Sequence, residues 1–195
     1  PAPAAGSAAP PLIGALLAAL APACSLQAFI PAGHALVPFA GLAVLALPLL
    51  SSMQFYAGYP LRVLTAEVSA WLLQLAGMEA LRAGSAMQVN GLWVIVDAPC
   101  SGVQMVWMAY FCAFAVAAFD GLRDGVLLRR LPAVGALVLA GNVLRNTVLV
   151  ALEAQGEAVA LIDNQWVHQG VGLAVLGLVC AGTARVIHGG RHAER

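Results

Sequence analysis

Long apolar runs alternate with short polar breaks along this chain. A membrane helix needs about 20 mostly apolar residues. Residues 12–30 and 34–50 meet that requirement, with Pro22, Pro31, Pro38 and Pro48 placed to kink or end them. Residues 61–76 are weaker, punctuated by Arg62, Thr65, Glu67, Ser69 and Gln74, and read as either a tilted span or an amphipathic helix at the interface. Helical patterning fails over 77–98. There Gln88 to Asp97 is rich in Val, Ile and Trp around an Asn90-Gly91 turn signal, which predicts a small hairpin or an extended loop. Pro99 suits the first turn of a helix, and strong spans follow at 99–119, 131–152 and 168–187. The expected fold is an all-α integral membrane bundle of about five to seven helices, with a short external hairpin or loop before the first of the late spans. Residues 1–11, rich in Ala and Pro, read as a disordered tail, 12–188 as one transmembrane domain with its core at 61–182, and 189–195 as a cytoplasmic tail.

Composition narrows the class. Of 195 residues, 62% are hydrophobic and 9% are charged, and nine arginines balance nine acids with no lysine; mean hydropathy is +0.89. These values exclude a soluble domain, a disordered chain and a nucleic-acid binder. The lipid bilayer is the expected surrounding. Cys24, Cys100, Cys112 and Cys180 form no CxxC pair or zinc spacing, and there is no Gly-rich phosphate loop, so no cofactor or metal is expected. The first 30 residues lack a basic signal-peptide region, and Ala21-Pro22-Ala23-Cys24 is only a faint lipoprotein-like box without upstream cations. Arg123, Arg129 and Arg130 lie in one loop and Arg185, Arg191 and Arg195 near the end, whereas the 153–167 loop carries Glu153, Glu157 and Asp163 and no arginine. The positive-inside rule therefore makes the arginine side cytoplasmic, and places the 77–98 and 153–167 loops on the external side.

Three residues stand out against this background. Arg145 lies inside an apolar span, where a charge costs roughly 2.5–3.5 kcal/mol at the bilayer centre. It is about seven residues, or roughly 10 Å, from the outer end of its helix, shallow enough to reach an aqueous cleft. Asn142 and Asn146 flank it and extend the polar arc. Its non-functional reading is a structural arginine paired with a carboxylate such as Glu153. Cys100 falls in the first turn of an outward-starting helix, where unpaired N–H groups and the dipole favour a thiolate. Ser101 and Gly102 leave room beside it, and Gln104 shares its face as a hydrogen-bond donor. Otherwise Cys100 is a small apolar residue, as Cys24, Cys112 and Cys180 are read to be. His168 opens the last span on its outer side and can exchange protons near neutral pH, with Gly170 and Gly172 allowing close helix packing. His34, His188 and His192 have no such context. Topology set from loop arginines brings Cys100, Arg145 and His168 to the outer half of three successive spans. Nucleophile, fixed cation and proton carrier are the parts of cysteine-based acyl transfer.

From Arg62 to Gly182 the chain resembles the exosortase/archaeosortase family of integral-membrane protein-sorting enzymes. The likeness rests on Arg62-Val63-Leu64-Thr65-Ala66, Ala98-Pro99-Cys100-Ser101-Gly102, Asn142-Val143-Leu144-Arg145 and His168-Gln169-Gly170-Val171-Gly172, in that order. It differs in having few spans before this core and in Pro99 ahead of Cys100. The resemblance implies a membrane cysteine protease/transpeptidase, with Cys100 as nucleophile, Arg145 and His168 completing the catalytic set, and Gln104, Asn142 and Asn146 supporting them. Asp97 or Asp163 is available to orient His168. The implied substrates are exported proteins ending in a short motif (Pro-Glu-Pro in exosortases), a transmembrane helix and a basic tail. The new carboxyl end passes to a surface acceptor, polysaccharide or lipid. The competing expectations are a non-enzymatic transporter subunit or polysaccharide-assembly factor, and a family member that keeps only the scaffold.

Overall fold

The computed structural model describes residues 35–95, 102–154 and 165–192. The predicted 12–30 span, the 1–11 tail, Cys24, Asp97, Cys100 and Asp163 lie outside them. Among the described residues there are five helices and one small sheet. The helices are α1 (Val37–Leu45), α2 (Leu50–Leu75), α3 (Val103–Asp120), α4 (Asp124–Glu153) and α5 (Gln165–His192), with strands β1 (Ala80–Ala83), β2 (Ala86–Val89) and β3 (Leu92–Ile95) between α2 and α3. Helices α3, α4 and α5 are each long and apolar enough to cross a membrane, and α1 and α2 together make a fourth candidate that is bent by 91°.

The first two helices depart from the hydropathy reading. The predicted 34–50 span contains only the nine-residue α1, about 14 Å of helix against a hydrocarbon core of roughly 30 Å. Its start is fixed from a distance: the backbone N–H groups of Leu36 and Val37 donate to the Asp124 carboxylate at 3.1 and 2.8 Å. These are helix-start donors with no partner in their own helix. From there α1 runs antiparallel beside α3, with Gly41 pressed on the Phe114 ring. Pro48 stands in the break before Leu50, since the residue before a proline disfavours helical geometry. The bend turns α2 away from the line of α1 by 91°. This helix begins at Leu50, not 61, and keeps Pro60 inside it. Gly58, Thr65, Ala66, Ser69, Ala70 and Leu73 form its buried face. Five of those six side chains are small, which lets α2 lie close against α4.

The hairpin expectation is met and extended. The sheet is antiparallel in the order β1-β2-β3, and Asn90 and Gly91 both take positive φ, 49° and 85°, as a two-residue type I′ turn requires. Met87 and Val89 face inward and join Ala66, Ala70, Leu73 and Val150 in an apolar cluster. The larger core is built on Ala109, Ala113 and Ala117, a stripe along α3 with no exposed surface, packed on Val134 and Val138 of α4 and Val175, Val179 and Ile187 of α5.

The molecule thus has two distinct ends. At one, Arg130 donates to the Val186 carbonyl and His188 meets Asp120 at 2.6 Å, so the 120–130 loop and the end of α5 lie together. The opposite end carries the sheet, the start of α3 and the close of α4.

Candidate active site

Near the sheet end a cavity of about 630 Å³ opens between α2, α3, α4 and α5. Its walls are mostly Leu, Met and Trp, and three polar side chains enter it: Gln104 from α3, Arg145 from α4 and Gln169 from α5. Each helix delivers one of them for the same reason. A polar group in an otherwise apolar run is costly against lipid and is favoured where it faces the bundle interior or a cavity.

Arg145 is held in place by an absence of side chain. A Cβ on Gly172 would lie 3.2–3.3 Å from its Nη2, Cζ and Nε atoms, so the guanidinium lies flat against α5 where that helix has no side chain. That face of the guanidinium is therefore backed by α5, and the side chain lines the cavity wall.

His168 and Gln169 divide between two faces of α5. Gln169, Gly172, Leu173 and Leu176 line the cavity. His168 belongs to the neighbouring line through Gly172, Val175 and Val179, the last two being core residues. It lies one turn, about 6 Å, further toward the sheet end than the glycine that backs Arg145. The sequence quoted Gln169 within a motif without giving it a role. Only the phase of the helix separates it from its neighbour.

Asn142 and Asn146 do not share the cavity with Arg145. Both are buried. Asn146 Nδ2 donates to the Asn142 carbonyl at 2.9 Å, and Asn142 Nδ2 donates to Thr65 Oγ1 at 2.8 Å. Gly102 has φ +82°, and a Cβ there would sit 2.7 Å from Asn142 Cγ. The α3 start, which closes the Cys-Ser-Gly run, therefore rests directly on the Asn142 amide. Asn142 Oδ1 is buried and has no hydrogen-bond partner among the described residues. Thr65, also quoted from the sequence without a role, is the second support of the same joint. Ser69 Oγ adds a 3.4 Å bond to the Val143 carbonyl on the next turn.

Cys112 Sγ lies 3.7 Å from the Cys180 carbonyl inside the α3–α5 packing, a structural setting. Among the described residues no three His, Cys, Asp or Glu side chains gather as metal ligands would.

A bent helical bundle with a cation-bearing cavity under a small sheet defines a membrane protein with a built polar site. The comparison with protein families is then specific. Residues 3–184 match the family model described as transmembrane exosortase (Exosortase_EpsH), and the chain belongs to that family. Neither the curated proteins nor the solved structures contain a match.

Proposed function

We propose that this protein is a cysteine-dependent transpeptidase that cleaves C-terminal sorting signals of exported proteins and transfers the new carboxyl end to a surface acceptor. The observation that carries the reading is the placement of Arg145: a guanidinium braced on Gly172, in a cavity walled by the helix that follows Cys100 and the helix that carries His168. Loop arginines orient the sheet end toward the periplasm or exterior of a bacterial inner membrane.

In this reading the substrate's membrane helix docks beside α3–α5 and its motif reaches the sheet end. The Cys100 thiolate adds to the scissile carbonyl, and Arg145 stabilises the oxyanion in a low-dielectric cavity. The C–N bond breaks as His168 gives its proton to the departing amine, leaving a thioester. An amine, hydroxyl or water then attacks, losing a proton to His168, and the thiolate leaves. Gln104 and Gln169 are placed to hydrogen-bond the substrate backbone in the cavity. Asn142 and Thr65 seat the start of α3, and Asn146 fixes Asn142 from the next turn.

The test is co-expression with an exported reporter that ends in Pro-Glu-Pro, an apolar helix and an arginine cluster. Wild type is expected to shorten the reporter, and Cys100→Ala to leave it intact. Undiminished processing by Cys100→Ala overturns the covalent mechanism. Arg145→Lys keeps the charge but loses the fork, and a loss of about 100-fold in rate is expected. A membrane-impermeant thiol reagent should label Cys100 from outside faster than an ordinary thiol near neutral pH, which a transporter subunit or assembly factor has no reason to show.

A further inference from the structure

We infer that the free edge of β3 is the docking strand for the substrate's extended motif, which adds to the sheet as a fourth strand and is led by it to Cys100. This rests on the reading of Cys100 as nucleophile.

The pairing phase settles which backbone groups are available. Asn90 N–H donates to the Glu79 carbonyl, so residues 86, 88 and 90 turn their amides to β1, and 87 and 89 turn theirs to β3. Their register partners are Val94 and Leu92. Trp93 and Ile95 must then point both N–H and C=O away from the sheet. β3 is the outer strand on that side, and no hydrogen bond to those groups is found among the described residues. An unpaired edge of this kind is a template for another extended chain.

The two edges of the sheet are unlike. β1 is blunted: its Ala80 carbonyl accepts from Gln74 Nε2 at 2.6 Å, and Arg82 pairs with Glu67 of α2. Charge and cover of this sort are how folds protect an edge. β3 reads Leu92-Trp93-Val94-Ile95, with no charge and no proline. Val94 packs inward on the sheet-side cluster, while Trp93 is 62% exposed on the outer face. Among the described residues nothing covers this edge, and an apolar edge without charge or proline is open to another strand.

Chain continuity identifies the partner. Cys100 follows Ile95 by five residues, a reach of at most about 17 Å. A peptide paired along β3 is therefore delivered in extended form within that distance of the thiol, with its backbone held whatever its side chains. Membrane proteolysis of a short motif needs this geometry, because a helical segment hides its carbonyls in its own hydrogen bonds.

Two substitutions remove only outward donors. Trp93→Pro and Ile95→Pro delete an edge-facing N–H and leave the β2–β3 ladder intact, as prolines on edge strands do. Each is expected to lower processing of the reporter at least tenfold, through KM, with Cys100 labelling unchanged. Val94→Pro breaks the ladder itself and should reduce labelling as well. Placement is read directly with a photo-crosslinking phenylalanine at position 93 of the full-length Cys100→Ala chain, co-expressed with the reporter. The expected adduct joins position 93 to residues in or beside the reporter's motif. Adducts only to a second copy of this chain or to lipid, or to the reporter from position 81 and not 93, overturn the proposal. So does full processing by both proline variants. Processing that survives Cys100→Ala would sink the nucleophile assignment while leaving the crosslink to be judged by itself.

Discussion

At the scale of single residues, two glycines carry geometry that no other residue can supply. Gly102 holds a left-handed backbone against the Asn142 amide. Gly102→Ala would add about 1–2 kcal/mol of backbone strain to a contact of 2.7 Å with Asn142 Cγ, so a lower unfolding temperature in detergent and loss of reporter processing are expected together. Asn142→Ala in the same chain should recover the contact but not the strain, a partial rescue that a double-mutant cycle measures. Gly172→Ala is different. Its Cβ would meet the far end of a long side chain, which can yield by a few tenths of an ångström. Stability should hardly change, but the guanidinium moves, and misplacement of a catalytic group by about 1 Å can cost 100-fold. A loss of about tenfold in turnover with an unchanged melting point is the expected result. Arg145 and Gln104 were legible in the sequence because a polar group in an apolar run is conspicuous. Thr65 was not, because its partner lies 77 positions away. Nor was Gln169, because adjacent polar residues on a helix are told apart only by which neighbour each faces.

At the scale of elements, Asp124 shows how the first residue of one helix sets the course of another. Its carboxylate receives two N–H groups at the start of α1, and charged acceptors at a helix start contribute about 1 kcal/mol. Asp124→Ala should lower stability by about 1 kcal/mol, measured by thermal unfolding, since two half-buried donors lose their acceptor. The three late spans were readable because each is continuously apolar. Two of them run further than predicted, α4 from Asp124 instead of 131 and α5 over Gln165–His192, whereas α3 starts at Val103 behind a left-handed Gly102, four residues later than the predicted 99. The α1–α2 corner was not readable. Hydropathy counts apolar residues without regard to direction, and Ser51, Ser52, Gln54, Tyr56 and Tyr59 disguise the first half of α2 as a break. The turn at Asn90-Gly91 announced itself, whereas β1, Ala-Leu-Arg-Ala, has little strand preference of its own. It exists because β2 and α2 hold it.

At the scale of the whole molecule, composition alone assigned the solvent, and the arginine count assigned a direction. That direction is checked with single cysteines in a chain lacking the native ones. A cysteine at Ser85, in the β1–β2 turn, should react with an impermeant maleimide in intact cells. One at Gly125 should react only after the membrane is opened. A second hollow of about 530 Å³, almost entirely apolar in its lining, lies among α1, α2, α3 and α4, and Trp107 lines it as well as the Arg145 cavity. One indole thus borders both this hollow and the cavity that holds the cation. Trp107→Ala is expected to widen the passage between the two and bring hydrocarbon beside the cation, which under the proposed mechanism should lower reporter processing, whereas Trp107→Phe should largely preserve it.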